Sequence, residues 1–381
     1  MGKRSAAGEP DRRRLRFSSA LSRLPEGDVF RPGRSSRVVF TLALLTAAGV
    51  LSGCATRRFQ PGRSRPPEEL PRAIVERYAY PKGRFELTPC RELESGESPQ
   101  PEWNTPFRCT VRAVSDHESY VLNEVQIFAG ATVVRFDYYM VKSDGRRPAV
   151  LVFPIFGGSY GFAKMFADHF ARNGLCCALM YRKEALVEAE TFAELEPPLR
   201  QVVIDSKIAV DWLCDRAEID PIRVGSFGIS MGGIKSATIK CLEPRIGPAV
   251  VALAGGSLAE ILASSREPKI VERKEILIGK EGVSGAEFQS RADAAILTDP
   301  MKLAHYADPS EIKMFIALFD KTVPTRLQLK LWRGFGRPEL SILPLGHYTA
   351  ALAIPYARWQ SLRFFERKFG VRRPPRRSTA P

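Results

Sequence analysis

Residues 228–233 read GISMGG, Gly228-Ile229-Ser230-Met231-Gly232-Gly233, between the apolar run IRVGSF at 222–227 and the helix-like IKSATIKCL at 234–242. A serine flanked by glycines at the point where a strand pattern becomes a helix pattern has two readings. On the first, the serine sits on a very tight strand-to-helix turn. Its neighbours must then be nearly free of side chains so that strand and helix can pass each other. On the second, it is an ordinary helix N-cap in a glycine-marked loop. The surrounding chain decides between them.

Outward from this stretch, apolar strand patterns alternate with helical ones. AVLVFPIF (149–156), LCCALMYR (175–182), the run ending at Phe227, GPAVVALAGG (247–256), IKMFIALF (312–319) and LSILPL (340–345) read as buried strands. Between them, YGFAKMFADHFARNG, LRQVVIDSKIAVDWLCDR, LQLKLWRGF and YARWQSLRFFERKF read as helices. Continuous apolar strands separated by helices imply a parallel sheet covered on both faces. Upstream, RFEL, FRCTVRAV, YVLNEVQIF and TVVRFDYYMV alternate at the strand period and read as hairpin strands, with AGA at 129–131 and SDG at 143–145 as turns.

The 381 residues carry a net charge of +15, which raises nucleic acid as a partner. The charge is misplaced for that. The first 37 residues hold ten Lys/Arg against four Asp/Glu, and the tail after Gly370 adds four arginines, leaving the body at only +5. Zinc-finger spacing, an RNP pattern and basic-aromatic interleaving are all missing, so no nucleic-acid partner is expected. The uncharged stretch at 38–53 is short for a membrane span and about the size of a signal-peptide core. It ends in Leu51-Ser52-Gly53-Cys54, which resembles the lipobox of bacterial lipoproteins. That resemblance implies lipidation at Cys54 and, with Ala55 and not Asp following, an outer-membrane anchor facing the periplasm. An uncleaved anchor helix is the alternative. The leader is longer than a usual n-region, so either translation starts further along or the leader is disordered.

Of the other six cysteines, Cys90 and Cys109 flank a polar loop and are a possible disulfide, while the remaining four lie in strand or helix patterns where a buried thiol is commoner. Without a CxxC, no metal site is expected.

A G-x-S-x-G placed at a strand-to-helix junction of a parallel sheet resembles the nucleophile elbow of the α/β-hydrolase superfamily. EIDPIRVGSFGISMGG looks most like the dienelactone-hydrolase and serine-esterase branches, and the order of elements matches over residues 121–370. The resemblance implies an α/β-hydrolase fold: a mostly parallel central sheet with helices on both faces, N-terminal antiparallel strands and a helical lid insertion at 257–309. The implied organisation is a leader and signal peptide at 1–53, a tether at 54–79, a β-rich segment at 80–142, a catalytic domain at 143–370 and a basic tail at 371–381.

Ser230 would be the nucleophile. A serine hydroxyl needs a base, and the base an orienting carboxylate. Among four histidines, His117 precedes the parallel sheet, His169 lies in its first helix and His305 in the insertion. His347, in LPLGHYTA, directly follows the last strand, where the superfamily places its base. Asp320, in FDKTVP, follows a strand end between serine and histidine; it could also merely start the turn before Pro324. Asp293, Asp299 and Asp308 belong to the insertion, and Glu260 is the reserve acid. The oxyanion would be held by the N–H of Met231 and by one from PIFGGSYG, which stands where the superfamily has HGxxG. Phe156 is the expected donor there, with Ile155 or Gly157 possible.

The expected activity is cleavage of a carboxylic ester or related acyl bond in a small-molecule substrate, with no cofactor. Acyl transfer and peptide cleavage would use the same residues. A non-catalytic envelope lipoprotein that keeps the fold as a binding scaffold is the reading from another class.

Overall fold

The structure is a computed structural model that describes residues 67–87, 107–130, 132–182 and 188–371. The leader, Cys54, the first half of the tether, Cys90 and nearly all of the basic tail lie outside the described residues. Among the described residues no helix is long and apolar enough to cross a membrane.

The strands are β1 (Phe85–Leu87), β2 (Phe107–Asp116), β3 (Tyr120–Ala129), β4 (Thr132–Val141), β5 (Arg147–Phe153), β6 (Cys176–Met180), β7 (Ile219–Ile229), β8 (Ile246–Ala252), β9 (Ile312–Ala317) and β10 (Glu339–Leu343). They form one ten-stranded sheet in the order β1-β2-β3-β4-β6-β5-β7-β8-β9-β10. From β6 to β10 every pairing is parallel, and β2, β3 and β4 form an antiparallel meander joined to β6. The mostly parallel sheet with an antiparallel N-terminal side is the expected one. One detail is corrected: β1 pairs parallel with β2, Phe85 opposite Phe107, and is not a hairpin strand. A parallel neighbour needs a long crossover instead of a tight turn, and residues 88–106 give the chain that length.

The helices are α1 (Arg72–Arg77), α2 (Gly161–Ala171), α3 (Glu196–Cys214), α4 (Met231–Leu242), α5 (Leu258–Ser264), α6 (Pro268–Glu281), α7 (Gly285–Ala295), α8 (Pro300–Leu303), α9 (Thr325–Gly334) and α10 (Ile354–Phe369). The central strands are buried on both faces: Val150, Leu151 and Val152 on β5, Val250 and Val251 on β8, and Met314 and Ile316 on β9 are all inaccessible to solvent. That double burial is why they read as unbroken apolar runs instead of alternating ones. Helix α4 lies close on β7 and β8 because its sheet-facing residues are small. The Ser236 hydroxyl pairs with that of Ser226 at 2.8 Å and donates to the Val250 carbonyl at 3.2 Å, so a buried polar contact is satisfied rather than left open.

Topology places the site. From β5 the chain moves to β6 on one side, then crosses back to β7 on the other. The connections leaving β5 and β7 therefore diverge, and a crevice opens beyond the carboxyl ends of those two strands, the usual ligand position in open α/β sheets. The loop 154–160 and Ser230 stand there.

Candidate active site

The GISMGG question has a steric answer. A β-carbon on Gly228 would lie 2.0 Å from the Gly232 carbonyl oxygen, and one on Gly232 would lie 2.3 Å from that of Phe153. On Gly233 it would meet the Ala252 carbonyl at 2.7 Å. No side chain fits at any of the three. Ser230 itself has φ 57° and ψ −121°, a conformation that costs a non-glycine residue roughly 1–3 kcal/mol and persists only where surroundings enforce it. Here the Ser230 N–H donates to the Ala252 carbonyl at 2.8 Å and its own carbonyl accepts from Ile234 at 3.0 Å. The N-cap reading fails, since the Ser230 side chain makes no capping hydrogen bond.

Asp320 follows β9 and His347 follows β10, two neighbouring strands. Beyond the strands proper, Leu318 N–H donates to Leu343 and Phe319 N–H to Leu345, at 2.9 and 3.0 Å, so both loops leave in register. His347 Nδ1 then meets Asp320 Oδ2 at 2.7 Å, with the carboxylate side chain wholly buried and the imidazole 13% exposed. An ionised carboxylate only accepts, so this bond favours the imidazole tautomer with the proton on Nδ1 and the lone pair on Nε2.

The two sequence readings of Asp320 are divided between its two oxygens. Oδ1 accepts from the Thr322 and Val323 N–H groups, each at 2.9 Å, and makes the turn before Pro324. Oδ2 takes the histidine and also the Gln328 side-chain amide at 2.9 Å. Glu260 is elsewhere: it pairs with Arg326 at 2.7 Å and with Lys330, joining α5 to α9. Burial would raise its carboxyl, but those two cations outweigh burial and hold it below the usual range. Asp299 caps α8 through Met301 at 2.7 Å and is raised by burial, Asp308 accepts from Ser310 at 2.8 Å, and Asp293 faces Lys302 at 3.3 Å. His117 bonds Ser115 and stacks on Tyr120, His305 lies 3.9 Å from Glu68, and His169 lies on α2 against Phe170.

Met231 opens α4, whose first N–H groups have no partner within a helix and favour negative charge. Across the crevice, Gly157 and Gly158 both have positive φ, 61° and 62°. Sequence reasoning missed what holds this loop. Arg182, two residues beyond the end of β6, donates to the carbonyls of Ile155 at 3.3 Å, Gly158 at 2.5 Å and Gly157, and its guanidinium lies 4.4 Å from the Tyr160 ring centre. In a trans peptide the C=O of residue 155 and the N–H of Phe156 point in opposite directions. With the carbonyl drawn to Arg182, the Phe156 N–H is turned away from that arginine.

Gln328 was missed as well. It is fully buried on α9, accepts from Ala317 N–H at 3.2 Å and donates to Val323 O at 2.8 Å besides Asp320. The available signal was a glutamine on the apolar face of LQLKLW, between Leu327 and Leu331. Cys109 is buried in β2, and its expected partner Cys90 lies outside the described residues.

Ser230 and His347 line one cavity of about 450 Å³. Its mouth carries Glu267, Lys269 and Tyr348, and the 257–309 segment supplies the first two from the start of α6. The Tyr348 hydroxyl donates to Glu267, which raises its pKa. Among the described residues no group of three or more His, Cys, Asp or Glu could hold a metal ion.

No family model matches the chain, and no curated protein matches it in sequence. Solved structures do. An acetyl xylan esterase from Paenibacillus sp. R4 aligns over 78% of this chain and 100% of its own at 18% identity and a TM-score of 0.55. An acetyl xylan esterase from Thermoanaerobacterium sp. aligns over 80% of this chain and 96% of its own, at 15% identity and a TM-score of 0.53. At such identities the likeness is one of fold: this chain has an α/β-hydrolase fold.

Proposed function

We propose that this protein is a serine hydrolase that cleaves a carboxylic ester through an acyl-enzyme. The observation that carries the reading is the His347–Asp320 hydrogen bond, made beside a cavity that also receives the sterically enforced serine at position 230. Ser230 Oγ attacks the ester carbonyl carbon while its proton passes to His347 Nε2. The carbonyl oxygen, now negative, is held by the N–H groups of Met231 and Phe156. When the carbon–oxygen bond to the alcohol breaks, His347 returns the proton to the leaving oxygen. Water then repeats the sequence on the acyl-serine, and Asp320 keeps the imidazole in its productive tautomer throughout. The fold neighbours named for acetyl xylan support the ester class and put acetylated sugars among the substrates to try.

The test is labelling with a fluorophosphonate. Ser230 is expected to be the modified residue, and Ser230→Ala is expected to lose both the label and p-nitrophenyl ester turnover, the latter by about 10⁴-fold or more. Labelling of a different residue, or turnover that survives in Ser230→Ala, would end this reading.

We further propose, from the sequence around Cys54, that the mature chain is a lipid-anchored envelope protein. Incorporation of labelled palmitate that is lost in Cys54→Ser is the expected result, and a mature N-terminus at another residue would refute it.

A further inference from the structure

The cavity at Ser230 continues well past the reacting atoms. Ile354, Ala357 and Ser361 of α10 all line it, positions that fall on one face of a helix. Seven residues at the helical rise carry the cavity about 10 Å along α10. The facing wall is Phe227 from β7 and Phe315 from β9, with Phe166 of α2 at the side. One turn further, Phe365 packs edge-on against Phe170 with centroids 5.4 Å apart, and the core is filled again.

Protein cores leave few voids larger than a water molecule. This space exists because α10 presents Ala357 and Ser361 where a large side chain would close the gap. The Ser361 hydroxyl is fully buried, borders the cavity and has no hydrogen-bond partner among the described residues, an uncommon condition for a buried polar atom. The charged and hydroxyl groups Glu267, Lys269 and Tyr348 stand at the other end, beside His347.

We propose that this cavity takes the acyl chain of the substrate, and that the protein acts on esters of unbranched alkanoic acids of middle length, with Ser361 marking the chain's far end. The assignment rests on the hydrolase reading above and adds the substrate class to it. Chemistry settles which half of the ester goes inward. The alcohol must leave before water attacks, and from a blind apolar pocket it would have to pass the acyl-serine to do so. The acyl group stays covalently attached to Ser230 through that interval, so the closed end suits it. The alcohol then departs through the polar mouth, next to the imidazole that protonates it.

The experiment measures kcat/KM of the full chain on p-nitrophenyl acetate, butyrate, hexanoate, octanoate and laurate. The expected result is a rise from acetate of up to about fourfold for each added CH₂, followed by a fall once the chain outruns Ser361. Ala357→Phe is expected to move the optimum to a shorter ester than Ser361→Phe does, because Ala357 lies one turn nearer Ser230. A folding defect would lower all esters together and give no such ordering. Ala357→Val and Ser361→Val serve in case the aromatic variants do not fold, with the same ordering expected. Binding of octanoate, with acetate as comparison, is followed in parallel by thermal shift on Ser230→Ala. Octanoate binding that Ala357→Phe blocks, without turnover of any ester, would uphold the acyl cavity while sinking the hydrolase reading. Ester turnover that is greatest for acetate, or equal losses on every ester in cavity variants whose thermal unfolding shows them folded, would overturn the acyl assignment and leave the hydrolase standing.

Discussion

Gln328 donates its side-chain amide to Asp320 Oδ2, the same oxygen that receives His347 Nδ1. Gln328 is itself fixed at both ends, by Ala317 N–H and Val323 O. The carboxylate is thus aimed by a buried side chain on α9 as well as by its own turn. Gln328→Leu is expected to leave KM almost unchanged and lower kcat roughly tenfold, because the lost bond orients the machinery without touching substrate. It should also cost about 1–3 kcal/mol in stability, since Ala317 N–H loses its buried acceptor. A KM effect with intact kcat would show that Gln328 shapes the pocket instead.

Asp320→Asn should lower kcat by about 10³ to 10⁴ with substrate binding retained, because the amide favours the wrong imidazole tautomer. Glu260→Gln should change kcat less than about threefold, its partners being Arg326 and Lys330 and not the histidine. Steady-state kinetics on one ester compares the two, and a crippled Glu260→Gln beside a mild Asp320→Asn would reassign the acid.

Arg182→Met removes the clamp on the Ile155, Gly157 and Gly158 carbonyls. The oxyanion donor would lose its fixed aim, and loss of one such donor is worth about 10²–10³ in kcat. Fluorophosphonate labelling should slow in proportion while thermal unfolding barely moves. Unaltered kcat would mean that the loop is held without the arginine.

Gly232→Ala sets a methyl group against the Phe153 carbonyl, 2.3 Å away. Backbone on both sides leaves nothing to yield, so the elbow must distort. The variant is expected to lose activity to background and more than about 3 kcal/mol of stability in urea unfolding. Gly279→Ala, where a β-carbon meets nothing within 4 Å, is the control and should behave as wild type.

Glu243 is buried, and although burial alone would raise its carboxyl, Arg245 holds the pKa below the usual value. A carboxyl depressed on folding contributes stability that is present above its unfolded pKa and is lost as pH falls through the folded one. Glu243→Gln should therefore unfold at lower urea than wild type at pH 7, by about 1–2 kcal/mol for a pair with one half-exposed member. The gap should close once the pH has fallen below the folded pKa. A difference that persists there would assign the effect to packing.

The candidate residues that the structure brings together could be picked out in the sequence because their logic is local. Glycines at 228, 232 and 233 announce a close passage of strand and helix, and Asp320 and His347 each follow a recognisable apolar strand. Arg182 reaches back 24 to 27 residues to its carbonyls, and Gln328 reaches partners 5 to 11 residues away across a strand, a turn and a helix; no spacing in the sequence encodes either contact. The cavity along α10 was hidden for a different reason. Ala357 and Ser361 look like unremarkable helix residues, and their meaning lies in the volume they fail to fill opposite Phe227 and Phe315. The parallel β1 escaped because strand alternation says nothing about direction.

The elbow ends a strand that is hydrogen-bonded to β5 on one side and β8 on the other, at the middle of the sheet. Amides there should exchange with solvent only when the whole unit opens, whereas the Gly157-Gly158 loop and the Glu267 to Tyr348 rim should open by local fluctuation. Ser230 is thus expected in the slowest-exchanging part of the molecule, and the Gly157-Gly158 loop and the rim in faster ones. In rising urea, activity should therefore vanish before the sheet melts, and by a route that leaves Ser230 still in its strained turn.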